Sequence, residues 1–316
     1  MMSGGATFLS TNLVELELVH WHNCEHIPSL GLLPSLKSLL IHGFKNVKRM
    51  GHKFDTTKSI SPGGVESIKL FPALRELYLC NLVSLEEWIE VEDDKAARGK
   101  VEIVFPCLEI LEISICPQLE IWQMGGFSSH HKLSHLWISE CYKLMAIPSM
   151  NGLSSLQFLR IKDCFNPRSI PEESLHLPTS LKELEMGYFC DELEEFPGLT
   201  YIHQLNSSLE SLILCGWDKV KSLPDQLQHL TALKKLTLYE FNGVEAFPKG
   251  LGNLTSLQQL SISYCGNLKH LFPLQALKSL SKLEMGPFCS ELEEFPGRLH
   301  PSPSCFPDKF KIERMG

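Results

Sequence analysis

Long apolar runs are missing from this chain. Nothing approaches eighteen consecutive hydrophobic residues, so no segment is expected to span a membrane. The opening MMSGGATFLSTNLVELEL lacks both a basic stretch and a continuous apolar core, which argues against a secretory signal. Positive charge is also short: 29 Lys and Arg stand against 37 Asp and Glu, a net charge of −8. With no basic stripe to displace counterions, a nucleic-acid partner is not expected. The signatures of catalysis are absent too. There is no G-x-x-x-x-G-K-[ST], no G-x-G-x-x-G, no H-E-x-x-H, no G-x-S-x-G and no kinase set. An enzyme is therefore not expected, and no cofactor or metal is assigned. The 11 cysteines are odd in number and form no short paired framework, so reduced thiols in the cytoplasm or nucleus are the expectation.

What the chain has in quantity is one pattern. L-x-x-L-x-L or a close relative begins at Leu13, Leu36, Leu74, Leu108, Leu133, Leu156, Leu181, Leu209, Leu233, Leu257 and Leu280. Proline stands 15 or 16 residues past the first leucine in eight of these eleven units, from Pro28 to Pro296. LEMGYFCDELEEFPG, ending at Gly198, returns as LEMGPFCSELEEFPG, ending at Gly297. That interval of 99 residues is four repeats, of 28, 24, 24 and 23. A 20–29-residue period of this form is the leucine-rich-repeat signature.

The residue types explain the architecture. L-x-L places two apolar side chains on one face of a short strand and the intervening residues on the other. Parallel strands of successive units can join into one sheet, and proline, which has no N–H to give, starts an extended or 3-10 return path. No unit buries its own leucines, so each depends on its neighbours. The fold predicted is an α/β solenoid of the leucine-rich-repeat horseshoe type, with about eleven repeats, one parallel strand per repeat on the concave face, and an irregular or 3-10 convex side. Eleven strands would give an inner arc of roughly 50 Å, the scale of a protein ligand.

Residues 1–12 are expected to be a partial or disordered lead, 13–297 the repeat domain and 298–316 a disordered tail. Two steps are long, 38 and 34 residues, which predicts rim insertions at about 50–70 and 89–104. Both ends are abrupt and uncapped, which predicts a piece of a longer array.

Cys116, Cys141, Cys164 and Cys265 each fall three residues past the last apolar strand position, where the repeat turns Asn or Cys inward; they read as structural. The stretch HWHNCEH, with His20, His22, Cys24 and His26, lacks zinc-finger spacing and reads as loop. The outward strand positions carry more information. Tyr78, Trp137, Phe158, Arg160, Ile213, Tyr239 and Tyr264, with Trp217 just beyond a strand, are predicted as a protein-binding row on the concave face, since aromatics and Arg dominate binding hot spots. Glu15, Glu17, Glu76, Glu112, Glu183, Glu185 and Glu284 give that face an acidic component.

LPSLKSLLIHGFKNVKRMGHKF, FPALRELYLCNLVSLEEWIE and FPCLEILEISICPQLEIW resemble the C-terminal repeats of plant nucleotide-binding leucine-rich-repeat immune receptors, and most nearly the class with an N-terminal coiled coil. SLPDQLQHLTALKKLTLYEF and FPKGLGNLTSLQQLSISYCGNLKHL look like the terminal units of the same family, so the resemblance covers about Leu13 to Gly297. It implies recognition of pathogen effectors or of host proteins they have altered, and restraint of an ADP/ATP switch module in a related receptor. The coiled coil and the nucleotide-binding module have no counterpart in these residues, so no nucleotide-site residue carries over. Two other readings stand beside this one: a substrate-receptor subunit of a ubiquitin ligase, for which the twelve residues before Leu13 leave no room for an adaptor-binding box, and a nonfunctional truncated receptor.

Overall fold

Alternation of leucine with polar residues makes each repeat start as a strand, and every one of the eleven predicted segments contains one. The computed structural model describes residues 10–28, 30–50, 69–89, 103–123, 131–145, 150, 152–164, 177–189, 194–196, 199–288 and 311–312. The chain forms two compact units, residues 1–156 with 164–169 and residues 157–163 with 170–316.

In the first unit, β1 (Glu15–Val19), β2 (Ser38–His42), β5 (Glu76–Cys80), β8 (Ile110–Ser114) and β10 (His135–Cys141) form a parallel sheet. Between them run the short strands β3 (Arg49–Met50), β4 (Lys69–Leu70), β6 (Glu87–Ile89), β7 (Ile103–Val104) and β9 (Ile121–Gln123). The main register is strict: Leu16, Leu39, Leu77, Leu111 and Leu136 pair in turn, and so do Leu18, Ile41, Leu79, Ile113 and Ile138. The second unit repeats this with β11 (Phe158–Cys164), β12 (Glu183–Gly187), β13 (Ser211–Cys215), β14 (Lys235–Tyr239), β15 (Gln259–Cys265) and β16 (Lys282–Phe288). There Leu159, Leu184, Leu212, Leu236, Leu260 and Leu283 form one column. From Leu39 to Leu136 and from Leu159 to Leu260 these columns are buried. At about 1.5–3 kcal/mol for each buried Leu or Ile, the stacked columns hold each solenoid together.

A second regularity follows each strand. The residue five places after the strand begins has a left-handed backbone in most coils: His20, Gly43, Asn81, Ile115 and Glu140 in the first unit, Asp163, Tyr188, Glu240 and Tyr264 in the second. For L-residues this conformation costs about 1–2 kcal/mol, so something must offset it. The freed N–H does, by reaching the next coil: His20 donates to the His42 carbonyl at 2.8 Å, Asn81 to Ser114 at 2.9 Å and Glu240 to Ser263 at 3.0 Å. The following side chain then points inward in most coils, Trp21 after His20 being 46% exposed. Phe44, Leu82, Cys116, Cys141, Cys164, Phe189, Trp217, Phe241 and Cys265 occupy this sixth place, and all are buried. The inward thiols expected from the sequence are therefore found, and the Sγ of Cys116, Cys141 and Cys265 donates to the carbonyl two residues earlier at 3.6, 3.4 and 3.4 Å.

Proline acts as expected on the return path. Pro224, Pro248 and Pro273 stand directly before the 3-10 helices Asp225–His229, Lys249–Asn253 and Leu274–Ala276. Among the described residues these paths hold 3-10 turns and no α-helix, so each unit is a parallel β-solenoid. Gly187 is needed where it stands. At φ 148° a side chain is strained, and a Cβ would run into the Cys215 carbonyl of the next strand.

Two features lie outside the expectations. The flanks of the long steps are ordered: β3, β6 and β9 form a second parallel sheet, β4 pairs with β7, and the rings of Trp88 and Trp122 stack at 5.8 Å. The centres of the predicted insertions, 51–68 and 90–102, lie outside the described residues, as does most of the tail; within it, β17 (Lys311–Ile312) pairs in parallel with β16.

Among the described residues no helix is long and apolar enough to cross a membrane.

Candidate protein-binding surface

The outward strand positions define one candidate surface on each unit. In the first unit the middle positions of β5, β8 and β10 pair across the strands, so Tyr78, Glu112 and Trp137 form one row. All three are half-buried. Ser38 Oγ donates to Glu76 Oε2 at 3.2 Å and Ser114 Oγ to Glu112 Oε1 at 3.1 Å, which fixes the two carboxylates on either side of Tyr78. Burial, followed by the fields of Glu76 and Glu112, pushes the Tyr78 phenol above its ordinary value. The ring of His135 meets Trp137 edge-on at 5.9 Å.

The second unit is differently charged. Arg160 Nε bonds Glu185 Oε2 across the β11–β12 pair at 2.7 Å, and Lys282 bonds Glu284 at 2.7 Å. Phe158 and Ile213 lie in this face, half-exposed, with Phe158 opposite Glu183 and Ile213 between Glu185 and Thr237. At the strand ends a tyrosine cluster forms: Tyr239 meets Tyr264 at 5.0 Å and Tyr188 at 6.3 Å, and Lys162 sits 4.9 Å above the Tyr188 ring. Burial leads the causes that push the Tyr188 and Tyr239 phenols up, with Glu240 contributing to both, so they stay neutral donors.

Two of the predicted residues sit differently from their expected places. Trp217 is a correction: it is only 6% exposed and is not on the face at all. Its position is the inward sixth place that cysteine fills elsewhere, and its ring packs on Phe189 at 5.6 Å and Phe196 at 5.1 Å. Tyr264 is 45% exposed, but it occupies the left-handed turn of β15 and so lies at the rim of the strands. Tyr188 and Lys162 were missed. The signal for Tyr188 was its place directly after Gly187, which aligns with Tyr264 once the turn is known. Of the HWHNCEH stretch, the His20 ring lies 5.4 Å from His22 and 5.0 Å from His42, and among the described residues no three His, Cys, Asp or Glu side chains are grouped to hold a metal ion.

Burial governs the thiols. It pushes Cys215 up to about 12 and Cys265 up to about 11, so both are protonated at neutral pH.

Residues 148–285 match the family model described as plant disease resistance protein RPS2-like, leucine-rich repeats. Over that stretch the coils are similar to the leucine-rich repeats of plant disease resistance proteins. The chain is 27% identical over 219 residues to a disease resistance RPP13-like protein 1 of Arabidopsis thaliana, covering 61% of this chain and 20% of that protein. It is 30% identical over 165 residues to the disease resistance protein RGA2 of Solanum bulbocastanum, covering 51% of this chain and 15% of that protein. The chain thus spans a fifth or less of the length of these relatives. Among solved structures, the leucine-rich repeat domain of the type III effector XopL is 17% identical over 86% of this chain and 76% of its own, at a TM-score of 0.43. That likeness is too remote for a residue of one to stand for a residue of the other.

Proposed function

We propose that the outward face of these disease-resistance repeats is a non-catalytic recognition surface of an intracellular plant immune receptor. It binds pathogen effectors or host proteins they have altered, and through the same repeats restrains a nucleotide-binding switch module. The observation that carries this reading is the row Tyr78–Glu112–Trp137: aromatic rings stand on the solvent side of a sheet whose core is already filled by leucine, where packing does not require them. The matched family and the two plant relatives support the immune setting. Tyr239, Tyr264, Phe158, Arg160 and Ile213 offer contacts of the same kind on the second unit.

The test is co-precipitation of the chain with candidate effectors and with the nucleotide-binding module of a related receptor, using wild type and Trp137→Ala. Capture of one of these partners, weakened by Trp137→Ala, is expected. Capture of none, or capture indifferent to every outward aromatic, overturns the reading.

A further inference from the structure

We propose that the Tyr78–Glu112–Trp137 row of the first unit is a seat for an arginine side chain of the bound polypeptide. This rests on the reading of the face as a recognition surface and names the chemistry of its partner.

The charge pattern points one way. Across β1, β2, β5, β8 and β10 the outward residues include Glu15, Glu17, Glu76 and Glu112, and none is Lys or Arg. Arg75, just before β5, is already held by Glu109 at 3.1 Å. The hydrogen-bond partners of Glu112 are the Ser114 hydroxyl at 3.1 Å and the Cys80 thiol at 3.9 Å, both neutral. Glu76 takes the Ser38 hydroxyl. These contacts orient the carboxylates without neutralising them, so the face carries a fixed negative field that an incoming cation would satisfy.

Geometry then selects among cations. Paired strands lie about 4.8 Å apart, so Tyr78 and Trp137, two strands apart, stand on the order of 10 Å from each other with Glu112 between them. A flat group stacked between two rings needs about 3.5–4 Å on each side, which this gap admits when either ring leans inward. Guanidinium meets all three demands: it stacks on aromatic faces, gives a forked pair of hydrogen bonds to a carboxylate, and sheds water more readily than ammonium. A lysine could pair with Glu112 but would leave the stacking unused.

A randomised peptide display library panned on the full chain tests this. Selected peptides would be labelled and titrated against wild type, Glu112→Gln, Tyr78→Ala and Trp137→Ala, with Glu284→Gln on the second unit as a charge-matched control. Urea melts would confirm that each variant is folded. Expected are arginine-enriched binders that lose about tenfold or more with Glu112→Gln, or when arginine is replaced by its neutral isostere citrulline, and change little with Glu284→Gln. Binders that lack arginine, tolerate citrulline, or respond equally to Glu284→Gln overturn the arginine seat; if Trp137→Ala still abolishes them, the recognition surface itself stands. Binders indifferent to Trp137→Ala, Tyr78→Ala and Glu112→Gln, or no binders at all, overturn both.

Discussion

The two units fill the same inward position with different chemistry. Six places after a strand begins, the first unit passes from Phe44 and Leu82 to Cys116 and Cys141, whereas the second holds Phe189, Trp217 and Phe241 in three consecutive coils before Cys265. The repeats beginning at Leu108 and Leu133 take 25 and 23 residues, and a thiol fits the space they leave. The repeat beginning at Leu181 takes 28, and its longer return path brings in Phe196, which packs against Phe189, Trp217 and Phe241 at 5.7, 5.1 and 6.2 Å. Coil length alone does not set the size of the inward side chain, since the repeats carrying Trp217 and Phe241 take 24 residues; the Phe196 ring from the neighbouring return path does. The outward faces differ as well. Uncompensated carboxylates flank Tyr78 in the first unit, while Arg160 and Lys282 pair with Glu185 and Glu284 in the second.

This contrast can be broken by mutation. The largest loss is expected from Leu236→Asp, which would strand a carboxylate in the second unit's leucine column and cost on the order of 4 kcal/mol or more in urea unfolding. Next comes the pair Trp217→Ala and Trp137→Ala. The first should cost about 3–5 kcal/mol because it empties the ring cluster, and the second less than about 1 kcal/mol because its ring lies outward. Equal costs would remove the distinction between inward and outward tryptophans. Cys116→Phe tests the packing around the inward position of the first unit: overpacking the fully buried thiol site should cost about 1–3 kcal/mol in the same assay.

The thiols give a pH-dependent test. Burial holds Cys215 near 12 and Cys265 near 11, against an ordinary 9.0. Above pH 9 the unfolded chain releases these protons while the folded chain keeps them, so stability should fall as pH rises through that window. Alkylation by iodoacetamide at mildly alkaline pH should likewise spare Cys215 and Cys265 while modifying the less buried Cys107. Equal rates would contradict their burial. The smallest effect is expected at Glu210, an exposed carboxylate lowered by its hydrogen bond and charge pairing with Lys234. Glu210→Gln should leave the urea midpoint unmoved.

Much of this molecule was readable before any fold was known. Leu36, Leu74, Leu108 and Leu133 announce their coils by spacing alone, and Cys116 and Cys265 announce the turn after the strand. The same offset would have placed Trp217 inward. An aromatic just beyond a strand reads as a contact until its packing on Phe189 and Phe196 is seen. Tyr188 is marked in sequence only by its place after Gly187; its contact with Tyr239, two strands away, appears only in the fold.

Sequence by itself determined the solenoid, since a leucine column exists only if successive strands stack in register, and period alone enforces that. Tertiary structure alone decided which rings share a surface and which lie in the core. Those choices depend on the backbone's handedness at a single turn and on how much space the neighbouring coil leaves, and neither is written in any one repeat.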